Sequence, residues 1–233
     1  MTTPGLRLYV IGDIHGRLDL LDRMIELINV DIRAREGESL IVTLGDYIDR
    51  GPNSREVLDR LLKNPFVGKY VALKGNHEAL LQTFLDDPAV AADWWRLGGV
   101  ATLRSFGIAI KPRMTRRGFA RAATQLREAL TPQQTEFLAS LKTSLVVGRY
   151  FLCHAGVRPG VPLDSQNEDD LLWIRDEFLS SEIDFGKIVV HGHTPVREPE
   201  VLANRINIDT GAFLSERLTC VVLQENGHRF IST

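Results

Sequence analysis

The sequence predicts an α/β fold in which a parallel sheet is joined by crossover helices and interrupted by a helical insertion. Three observations point to it. A short apolar run, a Gly-containing polar turn and a helical-period stretch follow one another three times before Asp86. Between Asp86 and about Leu141 this alternation gives way to helix signals alone. After Leu141 apolar runs resume, and two of them end in turns rich in His and Gly. The right-handed crossover rule leaves few topologies for such a chain.

In order, Leu6-Arg7-Leu8-Tyr9-Val10-Ile11 reads as the first strand and ends at Gly12-Asp13-Ile14-His15-Gly16. Asp13 and His15 are two apart, so in an extended segment they point the same way. Leu18, Leu21, Met24, Ile25 and Ile28 recur at helical spacing and predict a helix over the sheet. The run Leu40-Ile41-Val42-Thr43-Leu44 ends at Gly45-Asp46-Tyr47-Ile48-Asp49-Arg50-Gly51-Pro52. Two carboxylates and a guanidinium thus sit where a buried strand meets a Gly/Pro turn. Arg55 to Leu62 reads as a short helix with Ser54 as its cap. Val71-Ala72-Leu73 is the third strand; it ends at Gly75-Asn76-His77-Glu78, and a helix follows from Ala79.

The segment from about 86 to 141 is expected to be a helical insertion within a single domain spanning 1–233. Phe119 to Leu130 and Gln133 to Leu141 read as helices, the second started by Thr131-Pro132. Trp94 and Trp95 are expected to pack the insertion onto the core rather than to line a cleft. Ser144 to Val147 and Tyr150 to Cys153 then form β structure around Gly148-Arg149, ending at His154-Ala155-Gly156. Lys187-Ile188-Val189-Val190 ends at His191-Gly192-His193-Thr194-Pro195. Arg205 to Asp209 and Leu218 to Leu223 are the last expected strands, with no internal repeat or low-complexity segment.

The 233 residues, 44% hydrophobic, suffice for one well-buried core. A net charge of −2 argues against a nucleic-acid surface, and the modest basic group Arg113, Arg116, Arg117 and Arg121 reads as a solvated face. Cys153 and Cys220 lie inside apolar runs and read as buried thiols. The N-terminus lacks the apolar stretch of a signal peptide and no run is long enough to span a bilayer, so no membrane partner and a cytoplasmic location are expected.

Five strand ends carry metal-capable side chains: Asp13 with His15, Asp46, Asn76, His154 and His193. In open α/β sheets, ligand sites collect past the carboxyl ends of strands. Mixed Asp, His and Asn donors suit borderline divalent ions such as manganese, iron or zinc better than calcium. Two such ions about 3.5–4 Å apart, sharing a carboxylate, make a phosphate-ester hydrolase centre. A guanidinium beside them can fork onto phosphate oxygens.

Gly12-Asp13-Ile14-His15-Gly16, Gly45-Asp46-Tyr47-Ile48-Asp49-Arg50-Gly51, Gly75-Asn76-His77-Glu78, His154-Ala155-Gly156 and Gly192-His193-Thr194 resemble the ordered motifs of the calcineurin-like metallophosphoesterases. Within these they resemble the bacterial and phage serine/threonine branch of the phosphoprotein phosphatases. The resemblance implies a four-layer αββα sandwich, whose second sheet is not readable from the strand-end pattern alone. It implies that Asp13 and His15 hold one metal, Asp46 bridges, and Asn76, His154 and His193 complete the second. It further implies that His77 is the general acid, oriented by Asp49, and that Arg50, Asn76 and Arg175 bind phosphate oxygens. Hydrolysis would proceed by direct attack of a hydroxide bridging the metals, with no covalent enzyme intermediate. His191, next to Gly192, is expected to support the site from behind its ligands.

The reading this favours is a phosphomonoesterase acting on phosphoserine or phosphothreonine proteins, with phosphotyrosine or a small phosphoester also within reach. The alternative is a symmetrical diadenosine tetraphosphate hydrolase, which resembles the chain in the same motifs. Those enzymes tend to lack the carboxylate supplied here by Asp49 and to carry Asp where this chain has Glu78. A non-catalytic metal-binding scaffold would need a ligand or the acid histidine to be missing, and none is.

Overall fold

The computed structural model describes residues 5–111, 114–225 and 227–233. The first half follows the expected alternation: β1 (Leu6–Ile11), α1 (Leu18–Arg33), β2 (Glu38–Thr43), α2 (Ser54–Leu61), β3 (Lys69–Ala72) and α3 (Asn76–Asp86). β1, β2 and β3 pair in parallel. α1 buries Leu21, Met24, Ile25, Ile28 and Ile32, the 3.6-residue stripe that its sequence spells out. Ser54 is not the cap of α2 but its first residue; its hydroxyl instead accepts the Asp49 N–H at 3.0 Å.

The middle segment holds a 3₁₀ turn at Pro88–Val90, then α4 (Ala91–Arg96), α5 (Gly99–Ser105), α6 (Arg116–Ala129) and α7 (Pro132–Ser140). Thr131 and Gln134 close a reciprocal capping box on α7. Trp94 is buried against Phe84, ring centroids 4.6 Å apart, and Trp95 is half-buried against Phe119. Arg116, Arg117 and Arg121 are exposed on α6, while Arg113 lies outside the described residues.

The second half supplies β4 (Ser144–Val147), β5 (Tyr150–Cys153), α8 (Glu168–Trp173), α9 (Asp176–Leu179), β6 (Ile188–His191), β7 (Glu200–Val201), β8 (Arg205–Asn207), α10 (Ala212–Ser215), β9 (Thr219–Gln224) and β10 (Gly227–Ser232). Among the described residues the strands form two five-stranded sheets, ordered β10-β9-β1-β2-β3 and β4-β5-β6-β8-β7. Both are mixed rather than purely parallel: β9 and β10 extend the first sheet antiparallel, and β4 and β7 flank the second. β7 and β10 were not expected, being a two-residue strand and a mostly exposed edge strand with little apolar signal.

Strand alternation sorts the core into layers. Leu8, Val10, Val42 and Leu44 face Tyr150, Leu152, Val190 and Ile206 between the sheets. Tyr9, Ile11 and Ile41 face the helices of the first half and the insertion. Phe151, Cys153 and Val189 meet Leu171, Ile174 and Phe178 of the α8–α9 region on the outer side of the second sheet. The result is helix, sheet, sheet, helix. Cys153 and Cys220 are buried free thiols. No described helix is long and apolar enough to cross a membrane.

Candidate metal centre

The two sheets bring their carboxyl ends together. Asp13 and His15 follow β1, Asp46 follows β2, Asn76 opens α3, His154 follows β5 and His193 follows β6; all six are buried. His15, Asp46, Asp49, Arg50 and His193 have φ values of 47°, 53°, 71°, 66° and 66°, five of the seven positive-φ non-glycine residues among those described. Such strain concentrates where surrounding structure over-determines a functional geometry. Gly75 lets two turns touch: a Cβ there would lie 2.1 Å from Asp46 Oδ1.

Two groups of donors converge on Asp46, one with His15 and His77, the other with His154 and His193. His154 Nε2 lies 3.2 Å from His193 Nδ1, 2.8 Å from Asn76 Oδ1 and 3.4 Å from Asp46 Oδ1. His15 Nε2 lies 3.5 Å from Asp46 Oδ2. Donors bound at about 2.0–2.2 Å to one ion sit roughly 3.0–3.5 Å from each other, so the 3.2, 3.4 and 3.5 Å spacings fit a shared cation, while the 2.8 Å His154–Asn76 pair is slightly tighter. The chemistry fits as well. The Nδ1 atoms of His154 and His15 donate to the Leu44 and Ile48 carbonyls at 3.0 and 2.9 Å. In the neutral rings, each Nε2 lone pair then faces carboxylate or amide oxygen, acceptor against acceptor, an arrangement that a cation resolves. Burial keeps these rings neutral, holding His154 below the ordinary imidazole range and His15 down at about 3. Burial raises the Asp46 carboxyl, and it is lowered below its usual range only through positive charge on the four histidines around it. Asp13 accepts the His193 backbone N–H, at 3.1 Å to Oδ2, and stands beside rather than within the two groups.

His77 is set apart by its second nitrogen. Its Nδ1 donates to Asp49 Oδ2 at 2.6 Å, with both residues buried. Burial opposes charging of the ring, but Asp46 and Asp49 outweigh it and raise the His77 pKa above the ordinary value. Nε2 is left 3.5 Å from Arg50 Nη2 and 3.7 Å from Asp46 Oδ2. The Arg50 guanidinium stacks 4.3 Å above the Phe213 ring. Arg175 is exposed at the rim, its Nε 3.0 Å from His193 Nε2.

Several participants were not read from the sequence. Glu78 is buried, and its carboxylate accepts the N–H groups of Asp46, Tyr47 and Gly75 at 2.8–2.9 Å. It pulls the start of α3 forward to Asn76, three residues before the expected Ala79. Glu78→Ala should strand three buried donors and cost about 3 kcal/mol or more, read as a lowered urea midpoint at unchanged m. Asp209, beyond β8, is a buried neighbour of Asp13 and is pushed up to about 6 by burial. The same signature of an apolar run ending in Asp and Gly marks it, in Ile208-Asp209-Thr210-Gly211. His191 does not back the ligands: its ring packs against Phe178 at 4.9 Å on the outer side of the second sheet.

The chain is 31% identical over 222 residues to serine/threonine-protein phosphatase 2 of Salmonella typhimurium, covering 91% of this chain and 90% of that protein. It is 26% identical over 237 residues to the asymmetrical bis(5'-nucleosyl)-tetraphosphatase PrpE of Anoxybacillus flavithermus, covering 91% and 88%. A putative diadenosine tetraphosphatase shares the fold with a TM-score of 0.66 at 21% identity, covering 100% of this chain and 96% of that one. A cold-active protein-tyrosine phosphatase of Shewanella does so with the same score at 17% identity, covering 100% and 80%. Residues 6–228 match the calcineurin-like phosphoesterases. That match starts at the first residue of β1 and runs into β10, taking in both sheets and every strand end that meets at Asp46; the chain belongs to this family and is a phosphoric ester hydrolase.

Proposed function

We propose that the protein is a two-metal phosphoprotein phosphatase that hydrolyses phosphoserine and phosphothreonine, with manganese as the best-suited ion. The single observation that carries this reading is the buried Asp49–His77 pair. A seryl or threonyl oxygen leaves as a poor alkoxide and needs a proton; a nucleotide phosphate leaves readily without one. A carboxylate-backed imidazole in its raised pKa range is the apparatus that the harder leaving group demands. Phosphotyrosine belongs to the same class, with a leaving group less dependent on the acid.

In this reading Asp46 would serve both cation positions, His15 with the adjacent Asp13 would hold one, and Asn76, His154 and His193 would hold the other. When bound, the cations neutralise phosphoryl oxygens and make water nucleophilic at neutral pH. Arg50, Asn76 and Arg175 grip the phosphate oxygens. His77 gives its Nε2 proton to the leaving oxygen while Asp49 fixes the ring. Arg50→Ala should weaken inhibition by inorganic phosphate about 10–100-fold, because charge-assisted bonds to two oxygens are lost. Arg50→Lys should recover only part of it, an ammonium being unable to fork. Unchanged inhibition in Arg50→Ala would remove Arg50 from the phosphate site.

Dinucleoside polyphosphate hydrolysis is the second reading, favoured by the PrpE relative, which is named as asymmetrical rather than symmetrical. Turnover of a phosphoserine peptide beside diadenosine tetraphosphate at matched concentrations separates the two. Higher kcat/KM on the peptide is expected; the reverse order would move the protein to the nucleotide class.

A further inference from the structure

Two side chains of the insertion reach into the centre and end on Asp49. Trp94 Nε1 donates to Asp49 Oδ2 at 2.8 Å, on the same oxygen that accepts His77 Nδ1. Thr102 Oγ1 donates to Asp49 Oδ1 at 2.5 Å and accepts the Asp49 backbone N–H at 2.9 Å. All three residues are buried. The backbone N–H of Arg50 is held as well, by the Gly98 carbonyl between α4 and α5 at 3.3 Å. Gly99 lies flat on the indole, where a Cβ would come within 2.5 Å of Trp94 Cδ2. The ring is therefore pinned between Gly99 and Phe84 with its N–H aimed at the carboxylate.

We propose that Trp94 and Thr102 are positioning residues for the acid step, acting through Asp49. A carboxylate with one partner can rotate and offer either oxygen. Here each oxygen has its own donor from the insertion, so one orientation remains and His77 Nδ1 meets Oδ2. The imidazole ring is thereby fixed with Nε2 toward Arg50 and Asp46, the groups assigned to phosphate and cations. The insertion thus contributes to chemistry without touching substrate, and it braces the backbone of the phosphate-gripping Arg50 through the same two helices. This rests on the assignment of His77 as general acid, since a ring with no proton to deliver gains nothing from being aimed.

The test uses the full chain with Trp94→Phe, which keeps a ring in the slot and deletes only the donor, and Thr102→Val with Thr102→Ser as its conservative partner. Rates are compared on alkyl and activated aryl phosphates, with metal content measured in each variant and His77→Asn run alongside. Trp94→Phe and Thr102→Val should keep the parent metal content and lose about tenfold on the alkyl ester, the loss of one bond to a charged group. Losses on the aryl ester should be markedly smaller, and Thr102→Ser should restore most of the alkyl rate. Independently of turnover, the indole N–H proton resonance that disappears in Trp94→Phe should move upfield in Asp49→Asn. If His77→Asn is selective for the alkyl ester while Trp94→Phe and Thr102→Val lose equally on both esters or not at all, the positioning role is overturned and the acid assignment stands. If His77→Asn itself shows no selectivity, the acid assignment falls and the positioning role falls with it. An indole resonance unmoved in Asp49→Asn overturns the bond on which the proposal stands.

Discussion

On the two-cation reading proposed above, Asp46→Asn is expected to lose at least one cation and on the order of 10³-fold of turnover, the scale of several kcal/mol of charge stabilisation. The reason lies in how its two oxygens are divided. Oδ1 faces His154 Nε2 at 3.4 Å and Oδ2 faces His15 Nε2 at 3.5 Å, so one carboxylate serves both donor groups. An amide presents an oxygen to one side and an NH₂ to the other. Whichever way it turns, one imidazole lone pair meets a donor where the cation would sit. The net negative charge between the two positions goes as well. Metal analysis by mass spectrometry and turnover of a phosphopeptide read the two losses separately. Two ions per chain at the parent rate would mean that Asp46 is not the shared ligand.

His77→Asn is expected to keep two ions and to lose roughly 10²–10⁴-fold on phosphoserine peptides, the usual range for general acid catalysis. On activated aryl phosphates the loss should be much smaller, because a phenolate departs without a proton. The ring offers Nε2 at 3.7 Å from Asp46 Oδ2, close enough to be drawn into the first donor group, so metal content must be followed with the rates. Loss of an ion would make His77 a ligand. Equal losses across leaving groups of graded pKa would remove it from the acid step. Asp49→Asn should follow the same trend more mildly, since it aims the imidazole and does not carry the proton.

The parts of the fold that were legible are those where local signal and tertiary role coincide. β1, β2 and β3 are apolar runs that stop at Gly-plus-polar turns, and α1 carries its buried stripe in its own periodicity. The strand ends were readable for the same reason: a carboxylate or imidazole just past a buried run has few structural excuses. The second sheet was not readable, because β7 is two residues long and the parallel neighbours β6 and β8 carry no mark of which strands they join. Glu78 read as a motif letter, yet its work is to hold three N–H groups, two of them more than thirty residues away. Trp94 looked like packing, and it packs; its indole N–H meets a partner 45 residues upstream that no spacing rule connects to it. Asp209 carried the same Asp-Gly signature as the others but stands past a strand of only three residues.

The backbone N–H of His193 reaches Asp13 across 180 of the chain's 233 residues. Closing so long a loop costs only slightly more entropy than closing one half as long. Its ordering effect is larger. A growing chain can form β1, β2, β3 and their helices, with Asp13, His15, Asp46 and Asn76 in place, well before His193 has been synthesised. The cluster is then open on the side that the second sheet will close. Non-local contacts of this kind are late and slow to form. Because β9 and β10, which complete the first sheet beside β1, also follow His193, the cluster closes only with the complete sandwich, and regain of turnover after dilution from denaturant is expected to report that completion rather than the pairing of β1, β2 and β3.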